Sequence, residues 1–177
     1  MPVRPGQPSD VDYMLRALEL AARAEELGEV PVGALVVAGD EVVGEGWNRP
    51  IASHDPTAHA EIVALRAAGS RMSNYRLEAA TLYVTLEPCP MCIGAALNAR
   101  LARVVFGAWD PKAGACGSVV DLPRAVALTH WTHRPDVFGG VCSEASSALL
   151  KRFFEARRRS GQSSEAGSPQ VHSSKSR

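Results

Sequence analysis

Apolar residues fall into two alternating rhythms along this chain. Val11, Met14, Leu15, Leu18, Ala22 and Leu27 recur at helical spacing, with Ser9 or Asp10 as a cap and Gly28 as a stop. "VGALVVA" (32–38) then reads as a strand, "GDE" turns, and "EVVGEGWN" (41–48) returns as its hairpin partner. "RPIASHDPT" reads as a loop, and "AHAEIVALRAAG" as a helix with Ile62, Leu65 and Ala68 on one face. "ATLYVTL" (80–86) is rich in strand formers, "CPMCIGAALNAR" (89–100) is helical, and "ARVVFGAW" (102–109) is a further strand. The Gly- and Pro-rich stretch 110–135 predicts a fifth, edge strand near Leu128–His133. A last helix spans Ser143 to Arg158, with Leu149, Leu150, Phe153 and Phe154 as its apolar face. A hairpin followed by strand–helix–strand units predicts the α/β class. The architecture is a three-layer α/β/α sandwich around a mixed five-stranded sheet.

Composition adds limits to this picture. The chain has 177 residues, enough for one domain with a core that needs no disulfides. Three prolines and a glycine mark residues 1–8 as a flexible arm. Residues 9–160 form the domain, and the polar stretch 161–177 reads as a disordered tail. The formal net charge is zero, which argues against a general nucleic-acid coat protein but leaves room for a local basic patch. No apolar run reaches membrane-spanning length, and "MPVRPGQPSD" lacks a secretory core. The expected location is cytoplasmic, with the four cysteines reduced.

The chemistry centres on "TLEPCPMC" (85–92). A C-x-x-C after a strand fits a redox pair, half of a structural zinc site, or part of a catalytic metal centre. Upstream, "HAE" opens the preceding helix, and both motifs stand where a ligand crevice forms in an α/β sheet. His59, Cys89 and Cys92 then offer one imidazole and two thiolates, leaving a fourth position open as catalytic zinc sites do. Zinc lowers the pKa of a bound water toward about 7. Glu61, two residues from His59, is badly spaced as a ligand but well placed to move protons. A redox role leaves His59 and Glu61 idle, and a four-cysteine site would need the scattered Cys116 and Cys142. H-x-E followed by P-C-x-x-C is the established signature of zinc nucleobase deaminases. His54, His130 and His133 read as surface or turn histidines, and Glu87 is balanced between a helix-start carboxylate and a positioning role.

"EVPVGALVV", "GEGWNRPI", "HDPTAHAEI", "ATLYVTLEPCPMC", "RVVFGAWDPKAG" and "FFEARRR" together resemble the bacterial tRNA-specific adenosine deaminases, from about residue 10 to about 158. The resemblance implies a cytidine deaminase-like fold, a homodimer and one zinc per subunit. It also implies conversion of adenosine to inosine at the wobble position of a tRNA anticodon, with an arginine tRNA as the expected substrate. By motif position His59, Cys89 and Cys92 bind zinc and Glu61 shuttles protons. Asn48 reads the base with its amide, and the Ala60 backbone touches the purine edge. Lys151, Arg152, Phe154, Arg157 and Arg158 on the last helix become candidate contacts to the anticodon stem-loop; a plain solvated face is the alternative. Trp109 and the segments "THRP" and "SEASSALL" depart from the family pattern. A free nucleobase or nucleoside deaminase of guanine or cytosine type shares the zinc site and is the nearest rival. A catalytically dead zinc protein would have no use for Glu61.

Overall fold

The computed structural model describes residues 9–125 and 133–165, with side chains described as far as residue 160. The expected arm at 1–8 lies outside the described residues. Ser9 caps α1 (Asp10–Glu26) in a reciprocal capping box with Asp12. The hairpin strands are β1 (Gly33–Ala38) and β2 (Glu41–Trp47). A short α2 (Pro50–Ser53) occupies the stretch expected to be loop, its fixed proline φ suiting the first turn. Next come α3 (Ala60–Met72), β3 (Ala80–Leu86), α4 (Pro90–Asn98) and β4 (Arg103–Ala108). The short α5 (Leu122–Ala125), β5 (Asp136–Gly139) and α6 (Ser143–Glu165) complete the described order.

The sheet runs β2-β1-β3-β4-β5. β1 is antiparallel to both β2 and β3, while β3–β4 and β4–β5 are parallel. Alternation along the strands divides the core. Ala34, Val36, Leu82, Val84, Val104 and Phe106 face α3 and α4. Leu35, Val37, Tyr83 and Val105 face α1. The helix α6 packs on β4 in the α1 layer, where a Cβ at Gly107 would run into Ser146. The result is the three-layer sandwich with a mixed five-stranded sheet.

Three expectations need correction. Most of the predicted edge strand, Leu128–Thr132, lies outside the described residues, and the observed β5 starts only after Pro135. Proline has no N–H for a ladder, so pairing begins beyond it. The last helix does not stop at Arg158 but continues to Glu165, and residues 166–177 lie outside the described residues. The core stripe of α1 is Tyr13, Met14, Ala17, Leu20, Ala21 and Ala24, whereas Val11 and Leu15 are about half exposed. Small residues win that face because β1 comes very close: a Cβ at Gly33 would lie 2.5 Å from the Ala21 nitrogen.

Candidate active site

The strands β2 and β3 end on the same side of the sheet, and each leads into a helix of the α3–α4 layer. His59 is the N-cap of α3 and Cys89 the N-cap of α4. An N-cap side chain ordinarily accepts a bond from its own helix. Neither does so here; both side chains turn toward each other instead. Pro90 presets the first turn of α4 and sends Cys92 back to the same spot.

The loop before His59 is held by local chemistry. Asp55 accepts from the Thr57 N–H at 2.8 Å and from its hydroxyl at 2.7 Å. The Arg49 N–H donates to the Ala58 carbonyl at 3.1 Å. Buried Glu29 accepts from the Ala52 N–H at 2.8 Å and so anchors α2. Glu29 was invisible in the sequence because its partner lies 23 positions away.

His59 Nδ1 stands 3.7 Å from Cys89 Sγ and 3.5 Å from Cys92 Sγ, and the three ligand atoms lie within 4.8 Å of one another. Zinc bonded at about 2.0 Å to nitrogen and about 2.3 Å to sulfur, tetrahedrally, would separate N from S by about 3.6 Å. The observed spacings fit that ion. A bond from the Cys92 thiol, helped by His59, draws the Cys89 thiol down to about 4. The Cys89 thiolate and burial hold the proton on Cys92. A bound dication reverses that second sign and ionises both thiols.

Glu61, in the first turn of α3, is 4% exposed and faces this cluster. Burial pushes its carboxyl up to about 6, against the pull of its backbone N–H and of His59. Asn48 is also buried, and its Oδ1 accepts from the Ala60 N–H at 2.9 Å. That donor fixes the amide orientation and leaves Nδ2 as a donor. The Ala60 backbone expected at the purine edge thus has its N–H on Asn48 Oδ1.

Glu87 is 2% exposed. Its carboxylate accepts from the backbone N–H groups of Asp110 (3.0 Å), Cys116 (2.8 Å) and Ser118 (3.1 Å), and from the Ser118 hydroxyl. These bonds outweigh burial and keep the carboxyl below its ordinary range. Glu87 therefore ties the Cys89 turn to the loop after β4. The Ala115 N–H adds a bond to the Pro88 carbonyl at 2.9 Å.

The basic helix is not part of this cluster. It lies in the α1 layer, across the sheet from α3 and α4. Arg152 is bound to Glu25 of α1 at 2.7 Å, and Arg157 lies over the Phe153 ring at 5.3 Å. Phe153 is core, while Phe154 is 44% exposed and Lys151 and Arg158 face solvent. His133 bonds the Leu101 carbonyl at 2.6 Å, and His54 is exposed at the end of α2. His130 lies outside the described residues.

Residues 7–108 match the cytidine and deoxycytidylate deaminase zinc-binding region. The tRNA-specific adenosine deaminase of Haemophilus influenzae is 50% identical over 150 residues, covering 84% of this chain and 85% of that one. The chain belongs to this deaminase family. Its cofactor is zinc, which His59, Cys89 and Cys92 could hold. A solved structure of a tRNA deaminase that performs A-to-I editing at the wobble position superposes with a TM-score of 0.73. It is 41% identical and covers 78% of this chain and 98% of its own. The guanine deaminase of Nitrosomonas europaea is more distant, at 25% identity and a TM-score of 0.69, covering 85% of this chain and 86% of its own. Among the described residues no helix is long and apolar enough to cross a membrane.

Proposed function

We propose that this deaminase converts adenosine to inosine at the wobble position of a tRNA anticodon, with an arginine tRNA as substrate. The similarity to tRNA-specific adenosine deaminases over most of both chains supports the substrate class. The observation that carries the chemistry is the grouping of His59, Cys89 and Cys92 around one point with the buried carboxylate of Glu61 beside them.

The overall change is adenosine plus water to inosine plus ammonia. Zinc, when bound, is a Lewis acid that makes water a competent nucleophile near neutral pH. Glu61 takes one proton from the attacking water and delivers it to N1 of the purine; it then takes the second from the hydroxyl added at C6 and passes it to the amino group, which leaves as ammonia. The Ala60 N–H holds Asn48 so that Nδ2 can donate to the base. Burial of Ala60, Glu61 and Cys92 keeps bulk water away from this chemistry. A single-stranded anticodon loop makes extrusion of the base inexpensive. The reading includes a cytoplasmic homodimer, and contacts from Lys151, Arg152, Phe154, Arg157 and Arg158 to the RNA.

The test is an assay of zinc-loaded protein on an anticodon stem-loop with adenosine at the wobble position. Free adenosine, adenine, cytidine, cytosine and guanine run in parallel. Inosine formed only in the stem-loop is the expected result, with a sedimentation mass twice that of the chain. The likeness to the guanine deaminase favours a second reading, in which a free base is the substrate. Turnover of guanine without turnover of the stem-loop would select it.

A further inference from the structure

Trp109 directly follows β4, and nothing in the reaction above uses it. Its ring is 51% exposed. A lone exposed apolar side chain needs no explanation. This one is held in a defined pose. The ring meets Phe106 edge-on, with centroids 4.7 Å apart at 90°. A Cβ at Gly139 would come within 2.8 Å of it, so the glycine makes room for the indole.

The backbone on either side is clamped to the zinc-bearing turn. The Glu87 N–H donates to the Ala108 carbonyl at 2.8 Å, and the Asp110 N–H donates to the Glu87 carboxylate at 3.0 Å. Phe106 shares its core with Ile93 and Ala96 of α4, so the ring lies on the zinc side of the sheet, one strand along from Cys89. A hollow of about 620 Å³ opens beside it, rimmed by Asp121, Arg124, Arg134 and Asp136. Among the described residues two cations and two anions balance on that rim, which does not single out a phosphate. An immobilised aromatic wall with mixed donors and acceptors suits a nucleobase.

We propose that Trp109 is a stacking platform for one base next to the target adenosine. The inference rests on the RNA-editing reading given above. It makes Trp109 a specificity-determining residue: it favours an RNA strand over a free base because only a strand carries the neighbouring nucleotide into the hollow.

The experiment uses zinc-loaded full-length protein and stem-loop RNA carrying 2-aminopurine immediately 5′ or 3′ of the target adenosine. Titration with wild type should quench one of the two probes. W109F should keep that quench, because a phenyl ring still stacks. W109L and W109K should abolish it and raise the stem-loop Kd roughly tenfold, in line with loss of one base–aromatic stack. Zinc content and melting temperature should stay at wild-type values. With two non-stacking variants, one that misfolds still leaves the comparison intact. Absence of quenching at both probes with wild type, or equal quenching in W109K or W109L, overturns the inference. Wild-type inosine formation in the unlabelled stem-loop, measured alongside, separates this outcome from failure of the RNA reading itself.

Discussion

Glu61 and Cys92 are both buried in one cluster, yet their removal should fail in different ways. Cys92 is one of three side chains that could hold the ion among the described residues, so Cys92→Ala would leave two of them and should lose zinc. Glu61→Ala removes no ligand in this reading. It should keep one zinc per chain and lose about 10²- to 10⁴-fold in kcat, the usual contribution of a positioned proton-transfer group. Metal analysis and single-turnover deamination on the same samples check both; zinc loss from Glu61→Ala would make that residue a ligand instead. His59, Glu61, Cys89 and Cys92 were legible in the sequence because each motif is contiguous and its spacing is local. Asn48 was legible only through the family resemblance, and its bond to Ala60 not at all. The donors on Glu87 lie 23 to 31 positions away, and no local pattern announces them. The partner of Arg152, Glu25, is likewise 127 positions distant, and no local pattern announces that pair.

Helices come to this sheet through small residues, and that closeness is what aims the site. Along β2, a Cβ at Gly46 would lie 2.6 Å from the Ala64 nitrogen and would also strike the Ala60 carbonyl. Those atoms belong to the first turns of α3, next to His59 and Glu61. Gly46→Ala must therefore push the start of α3 outward or distort β2. The cost expected of such overpacking is about 1–3 kcal/mol. Zinc affinity should fall with stability, since His59 moves with the helix. A chelator competition in parallel with thermal melting checks this; a stable variant with wild-type zinc affinity would show that α3 accommodates the methyl group. The same closeness explains what the apolar pattern missed. It marked Val11 and Leu15 on α1 and Leu27 just past it because they are large, yet half of the packing face is alanine. On α3 the large residues Ile62 and Leu65 do face the core, and the pattern was sound. The strand β5 escaped because Asp136, Phe138 and Gly139 are exposed, leaving no buried alternation to read.

Across the whole molecule the layer order followed from element order, because a hairpin and two crossover helices admit few arrangements. What ties the layers together is less legible. Asp10 at the start of α1 accepts from the Tyr83 hydroxyl of β3 at 2.7 Å and pairs with Arg103 of β4 at 3.0 Å. Arg103 in turn lies over the Phe138 ring of β5 at 4.9 Å. One carboxylate thus links the α1 layer to three adjacent strands. Partial burial opposes its ionisation, but the bonds from Arg103 and Tyr83 prevail and hold its pKa below the ordinary value. A carboxyl with a depressed folded-state pKa adds stability above its unfolded pKa, about 3.9 for Asp, and that stability is lost as pH falls through the folded value. Both partners are about one-third exposed, so solvent screening limits the pair to about 0.2–1 kcal/mol. Asp10→Asn should therefore melt about 1–4 °C below wild type at pH 7. The gap should close as pH falls below 4, because the wild-type carboxyl then gains the proton that the amide never needed. Paired melting curves from pH 7 to pH 3 read this directly. A gap that stays constant with pH would mean that Asp10 contributes through shape and its Tyr83 hydrogen bond, and not through its charge.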